Sequence, residues 1–191
     1  MIETVGLGRR FDGRVAVDNL NLRVPEGEVF GLLGPNGAGK TTTIRMLACL
    51  IAPSAGGASV NGYDIGKDAD REKIRSIVGV LPESPGLYET LSASKNLDFY
   101  ARMYGMEAGA RAARIEELLR MLELWDRRDD AVATFSKGMK QKIAIARAFV
   151  HNPQVVFLDE PTAGLDPQAS LTVREFLTQL SSEGRTIFIN S

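Results

Sequence analysis

The chain has 191 residues, 44% of them hydrophobic and 25% charged, the make-up of a globular domain with room for one sizeable α/β core. Lysine and arginine total 23 against 24 aspartate and glutamate, a formal charge of −1, so nucleic-acid binding through overall charge is not expected. Cys49 is the only cysteine, which excludes an intramolecular disulfide. The start, MIETVGLGRR, has no apolar stretch of signal-peptide length, and the longest apolar run, Met46–Ala52, is too short to span a bilayer. The expected location is the cytoplasm, with any membrane role supplied through another polypeptide.

In chain order, Glu3–Phe11 and Arg14–Val24 read as strands joined by Asp12-Gly13, a hairpin-turn pair. In the second strand Val15 and Val17 share one alternation phase and Leu20, Leu22 and Val24 another, so a bulge is expected at Asp18-Asn19. After a turn at Pro25–Gly27, the run Val29, Phe30, Leu32, Leu33 reads as a short buried strand and Thr42–Leu50 as a helix, with Cys49 a small buried hydrophobe. Pro53–Gly57 makes a turn and Ala58–Ile65 reads as one strand, completing an antiparallel β lobe. Lys67–Arg75 reads as a short helix, Ile77–Leu81 as a buried strand, and Ser84-Pro85-Gly86 as a loop.

Residues 92–150 read as mostly helical. The clearest segment is Ala112–Leu124, where Ile115, Leu118, Leu119 and Leu122 follow the spacing of one buried helical face. Gln154–Leu158 returns to a buried strand, Pro167–Leu180 to a helix and Thr186–Asn190 to a last strand. Arg9-Arg10 and Arg127-Arg128 read as solvated surface. The expected organisation is one α/β domain, with residues 1–83 and 151–191 forming the core and β lobe and residues 84–150 an inserted helical lobe.

Three stretches carry chemistry. Gly34, Pro35, Asn36, Gly37, Ala38, Gly39, Lys40 and Thr41 fit G-x-x-x-x-G-K-[ST], followed by Thr42 and flanked by a strand and a helix. Glycines let backbone N–H groups converge on a phosphate where a Cβ would obstruct them, and the helix N-terminus adds partial positive charge. Lys40 can reach the β- and γ-phosphates, and the Thr41 hydroxyl can ligate Mg²⁺. Kinases, GTPases and transport ATPases share this cradle.

The second stretch is Val155–Glu160, a buried strand that delivers Asp159 and Glu160 to its tip. Asp159 suits the Mg²⁺ of a bound nucleotide, and Glu160 suits a general base that orients the attacking water. The third is Phe135–Lys142, which opens a helix with Ser136 as N-cap and Gly138 where a backbone N–H can approach an anion.

Taken together, these stretches resemble the ATP-binding cassette (ABC) family, of the exporter type, over nearly all of the chain. Phe11 matches the family's adenine-stacking aromatic, Gly34–Thr42 its phosphate loop, and Glu83 a loop residue that is usually Gln. Phe135–Met139 matches the signature usually written LSGGQ, Val155–Glu160 the magnesium strand, and Ala163–Asp166 the loop that crosses the dimer interface. The resemblance implies a P-loop NTPase fold with a mixed, largely parallel core sheet. It also implies ATP and Mg²⁺ as cofactors, with Thr41, Glu83 and Asp159 toward the metal. Two such chains would sandwich two ATP molecules, with Ser136 and Gly138 of each closing over the γ-phosphate held by the other. A transmembrane permease subunit would receive the motion, docking near Ser84–Tyr88 and holding the chain at the cytoplasmic face of the membrane.

The departures are Lys137 and Met139 in the signature, Glu83 for Gln, and the absence of the family's switch histidine, which normally follows the strand read at Thr186–Asn190. His151 does not match that position and reads as structural. Slow turnover is therefore an expectation. The competing readings are a soluble cassette ATPase acting in translation or DNA maintenance, and a module that dimerises on ATP with little hydrolysis. Against the first stand the single cassette and the lack of room between Lys40 and Asp159 for a long coiled-coil insertion.

Overall fold

A computed structural model describes residues 1–84 and 86–191, so Pro85 in the expected loop and docking segment lies outside the described residues. Strands β1 (Ile2–Phe11) and β2 (Arg14–Val24) meet at Asp12 and Gly13, whose φ angles of 46° and 81° give the doubly left-handed turn that suits a tight hairpin. Their register runs from Leu7↔Leu20 to Arg9↔Val17, leaving an extra residue on β2 at Asp18-Asn19, where Asn19 has φ 47°. The expected bulge is present.

Strand β3 (Val29–Leu32) leads through the glycine loop into helix α1 (Lys40–Leu47). Two expectations fail here. β3 is not buried, since Val29 is 51% and Leu33 77% exposed, because the strand forms an edge of its sheet. The helix also starts two residues earlier and stops three residues earlier than Thr42–Leu50. Its stop is a left-handed Cys49 (φ 55°), with Leu50 N–H donating to the Arg45 carbonyl at 2.8 Å and Cys49 N–H to the Met46 carbonyl at 3.0 Å. That is a Schellman cap on a residue that is neither Gly nor Asn, so no punctuation mark announces it. Cys49 is half-buried, and burial pushes its thiol pKa up against the opposing pull of Arg71 and Arg75.

The run Ala58–Ile65 is not one strand either. Strand β4 (Ala55–Val60) turns at Asn61-Gly62, φ 51° and 82°, into the short β5 (Tyr63–Asp64). The antiparallel sheet has the order β2-β1-β4-β5. Helix α2 (Asp68–Ile77) and strand β6 (Val78–Leu81) follow. Next come helices α3 (Ala93–Met103), α4 (Ala108–Met121) and α5 (Lys137–Phe149), then strand β7 (Val155–Asp159), helix α6 (Pro167–Ser182) and strand β8 (Thr186–Asn190). The second sheet has the order β3-β8-β7-β6, with β8 parallel to both β3 and β7. The late C-terminal strand thus fills the space between the two strands that carry the phosphate loop and the acidic pair.

The contacts divide the chain into two compact units, one of Met1–Val80, Gln154–Asp159 and Ser181–Ser191, the other of Leu81–Pro153 and Glu160–Leu180. In the first, Phe188 packs on Phe30 and Phe157 at ring-centre distances of 5.1 and 5.6 Å, with Ile2, Leu7, Val24, Met46 and Ile74 fully buried around them. In the second, Ile115, Leu118, Leu119 and Leu122 are all buried, as the spacing requires. Arg127 and Arg128 are not merely solvated, since their guanidinium groups lie over the rings of Phe135 (5.2 Å) and Trp125 (4.5 Å). His151 stacks on Tyr104 at 3.6 Å. No helix among the described residues is long and apolar enough to cross a membrane.

One buried polar side chain organises the entry to the second unit. Asn96, fully buried, accepts from Tyr88 N–H at 2.9 Å and donates to the carbonyls of Tyr88 (2.9 Å) and Ser92 (3.0 Å). Asn96→Ala leaves the Tyr88 N–H without its acceptor and takes one of two donors from each of the Tyr88 and Ser92 carbonyls, and a loss of about 1–3 kcal/mol is expected in chemical denaturation. A change below about 0.5 kcal/mol would contradict the assignment. For Cys49, the raised pKa predicts alkylation by iodoacetamide at pH 8 slower than that of a free thiol, because the thiolate is the reacting form. An equal or faster rate would contradict it.

Candidate functional site

Within the first unit the phosphate loop is built by position-specific glycines. Gly37 and Gly39 have φ 83° and 86°, conformations in which a side chain is strained. At Gly39 a Cβ would also run into the Ala16 carbonyl oxygen of β2. The loop therefore rests directly on the antiparallel sheet at the point where α1 begins. Ala38 N–H donates to the Pro35 carbonyl at 3.2 Å, closing the turn, and Thr43 N–H donates to the Gly39 carbonyl at 2.8 Å, the first helical bond. Helix α1 has neither a side-chain cap nor an acid in its first turn, so its leading N–H groups and partial positive charge serve an outside anion. Lys40, only 8% exposed, donates Nζ–H to the carbonyls of Gly34 (2.6 Å) and Pro35 (3.2 Å), and so lies along the loop it belongs to. Lys40 and Thr41 are the first residues of the helix, which begins two residues before the start the sequence pattern gives.

Asp159 ends β7 in the same unit and is 4% exposed. The register sets it against Asn190 of β8, and Asn190 is also the partner of Leu32 of β3. The tip of the acidic strand and the start of the phosphate loop are thereby level, two strand spacings or roughly 10 Å apart. Neither the Asp159 carboxylate nor the Thr41 hydroxyl has a hydrogen-bond partner among the described residues. An almost buried carboxylate left this way, and a free hydroxyl on the loop, fit the oxygen donors that Mg²⁺ takes. Phe11, at the end of β1, is 41% exposed and carries the Arg9 guanidinium 4.5 Å over one face, so Arg9 too is more than solvated surface.

Glu83, Ser136, Gly138 and Glu160 belong to the second unit. Ser136 caps α5 as expected, its Oγ accepting from Met139 N–H at 3.2 Å. Gly138 is closely faced. A Cβ there would meet the Ala169 Cβ at 3.3 Å and Asp166 Oδ2 at 3.7 Å. Asp166 in turn accepts from Ala169 N–H at 2.9 Å and caps α6, whose first residue is Pro167. Glu160 has φ 49°, an unusual conformation for a residue with a side chain.

Glu83 and Glu160 line one cleft of about 560 Å³ together with Phe135, Lys137, Lys140 and Gln141. Gln141 Nε2–H donates to the Pro161 carbonyl at 3.2 Å, joining α5 to the residue after Glu160. Lys140 pairs with Glu89 at 2.6 Å. Motif reading singles out Glu83, Glu160 and the Phe135–Lys142 stretch, but does not bring Lys137, Lys140 and Gln141 into one cleft with the two carboxylates. The visible signal was the helical spacing of 137, 140 and 141, which places these residues on one side of the start of α5.

The ABC transporter family model matches residues 17–163. The chain is 43% identical over its whole length to the ABC transporter ATP-binding protein NatA of Bacillus subtilis (strain 168), spanning 79% of that protein. It is 38% identical to the linearmycin resistance ATP-binding protein LnrL of the same organism and 40% identical to the daunorubicin/doxorubicin resistance ATP-binding protein DrrA of Streptomyces peucetius. It spans 61% and 57% of those two proteins. The structure of an ATP-binding subunit of an ABC transporter superposes with a TM-score of 0.88 at 34% identity, over 100% of this chain and 78% of that one. The ATP-binding cassette MJ0796, solved as a dimer in a post-hydrolysis state bound to ADP and Pi, superposes at 0.89 with 27% identity, over 100% of this chain and 88% of that one. The strand-loop-helix phosphate cradle, the acid level with it across the parallel sheet, and these likenesses agree, and the chain belongs to the ABC transporter family of ATP-binding proteins.

Proposed function

We propose that the chain is the ATP-binding and ATP-hydrolysing domain of an exporter-type ABC transporter that works with a separate transmembrane permease subunit. The observation that carries the reading is the alignment of the phosphate loop with Asp159 through Asn190, within one compact unit. Backbone N–H groups from Gly34 to Thr42 and the Lys40 ammonium bind the triphosphate, and Phe11 stacks on the adenine. Thr41, Asp159 and Glu83 would hold Mg²⁺, and the ion would neutralise charge on the β- and γ-phosphates. Glu160 orients the attacking water and takes its proton.

Ser136 and Gly138 complete the site of a second cassette, so that ATP joins two chains and hydrolysis separates them. The second cassette is another copy or a close relative, and the assembly sits on the cytoplasmic face of the membrane. Export is favoured by relatives named for Nod factor export and for daunorubicin/doxorubicin resistance. The transported substrate is a property of the permease.

Lys40→Ala removes a charge-assisted contact to the phosphates, and ATP affinity measured by calorimetry is expected to fall at least ~10-fold. Retained affinity would overturn the cradle. Glu160→Gln is expected to keep ATP binding while hydrolysis falls ~10²-fold or more, and to favour an ATP-bound dimer in light scattering. Unchanged turnover would remove Glu160 from its role. Affinity purification from detergent-solubilised membranes of the native host should recover a stoichiometric integral membrane protein. Recovery with ribosomes or nucleic acid would favour the soluble ATPase reading instead.

A further inference from the structure

We propose that Arg9 is a positioning residue for the nucleotide base: its guanidinium braces one face of the Phe11 ring, so that the rest of the ring is set to receive the adenine. The inference rests on the proposed stacking of Phe11 on the adenine and adds the residue that holds the ring for that contact.

Arg9 and Phe11 are two residues apart on β1, and alternation along a strand puts their side chains on one side of it. The Arg9 guanidinium carbon lies 4.5 Å from the centre of the Phe11 ring, a cation–π contact. The same group donates Nη1–H to the Ala52 carbonyl at 2.8 Å, while its Nε–H is buried with no hydrogen-bond partner among the described residues. One carbonyl and the ring therefore orient the guanidinium. The backbone of β1 is tied to the same stretch, since Arg10 N–H donates to Ser54 Oγ at 3.1 Å and Ser54 N–H to the Gly8 carbonyl at 2.8 Å. A ring that adjoins a hairpin turn and is 41% exposed has little else to select its rotamer. Through Arg9 it is fastened to the segment that follows α1.

The ring also stands beside the support of the phosphate loop, within the first unit. Arg9 pairs with Val17 and Arg10 with Val15, so Ala16 is an extra residue on β2. The loop rests on the sheet at that residue, with the Ala16 carbonyl oxygen and Val17 Cγ2 standing where a Cβ on Gly39 would go. Phe11 pairs with Arg14, two residues before Ala16 and roughly 7 Å along the strand. A nucleotide held by its phosphates at the loop can reach the ring with its base. Phenylalanine has no polar atom to read the edge of a base, and what it offers is an apolar face, on which any base can stack. The contribution of Arg9 is to fix the orientation of that face, so its effect is confined to the base.

The test compares ATP with inorganic triphosphate, which carries the phosphates and no base, by calorimetry. The proteins are the wild type, Arg9→Met, Arg9→Lys, Phe11→Ala and the double variant Arg9→Met/Phe11→Ala, each checked as folded by a single melting transition. Phe11→Ala is expected to weaken ATP binding about 10-fold or more. Arg9→Met should weaken it about 3–5-fold, and Arg9→Lys, which keeps the charge without the planar fork, about 2-fold. Triphosphate affinity should stay within about 2-fold throughout, and the double variant should match Phe11→Ala within about 2-fold. An equal fall for ATP and triphosphate in Arg9→Met would overturn the proposal, because it would make Arg9 a general attraction for phosphate charge. Losses that add in the double variant would overturn it too. A fall in Phe11→Ala with none in Arg9→Met would remove Arg9 alone and leave the adenine stacking standing. Unchanged ATP affinity in Phe11→Ala would remove the stacking and the proposal together, while triphosphate binding still decides the phosphate cradle.

Discussion

The parallel pairing of β8 with both β3 and β7 is the constraint on which the nucleotide site depends. Asn190 faces Leu32 on one side and Asp159 on the other, so one residue of one strand sets the height of both the glycine loop and the acid. Side chains alternate along strands, so a slip of one residue would turn Asp159 to the other face and raise the loop by about 3.3 Å. The three aromatic rings of Phe30, Phe157 and Phe188, packed across the same three strands, oppose such a slip, because moving any one strand would open a void at its neighbours. The antiparallel sheet adds a second support, since the missing side chain at Gly39 lets the Ala16 carbonyl of β2 back the first turn of α1. Hydrophobic packing thereby fixes a site whose own atoms are mostly backbone.

The second unit presents its functional groups differently, through helix starts and turns. Ser136 and Asp166 cap α5 and α6, and the small Gly138 lets the two capped ends approach. Glu160 follows Asp159 directly, so the peptide bond between them is where the chain passes from the sheet-bearing unit to the helical one.

Much of this was legible in the sequence where a local rule acts alone. Asp12-Gly13 and the phase change at Asp18-Asn19 declared a hairpin and its bulge, and the four spaced leucine and isoleucine positions after Ala112 declared a buried helical face. Ser136 declared a cap, and the glycine-lysine pattern declared the loop. Other features were not local. Val29 and Leu33 look buried by composition, but whether a strand is central or an edge depends on partners far along the chain, here β8 alone. Cys49 ends α1 in a left-handed conformation that no glycine announces, and the stop depends on hydrogen bonds to Arg45 and Met46. Asn61-Gly62 was a readable turn signal, masked by the β-rich run on either side. For the candidate site, motif reading named the loop, the acidic pair and the capped start of α5, each of which is marked by a local pattern of residues. It did not assemble the cleft of Lys137, Lys140 and Gln141 with Glu83, because those residues meet only when Glu83 and Glu89 come beside the start of α5.

The role proposed for Asp159 is to hold the Mg²⁺ of a nucleotide bound by the loop level with it. The most direct measurement is ATP affinity with and without Mg²⁺, in the wild-type chain and in Asp159→Asn. Mg²⁺ is expected to tighten ATP binding in the wild type, and Asp159→Asn to lose this gain while binding metal-free ATP as the wild type does. An equal gain from Mg²⁺ in both proteins would place the metal elsewhere and contradict it.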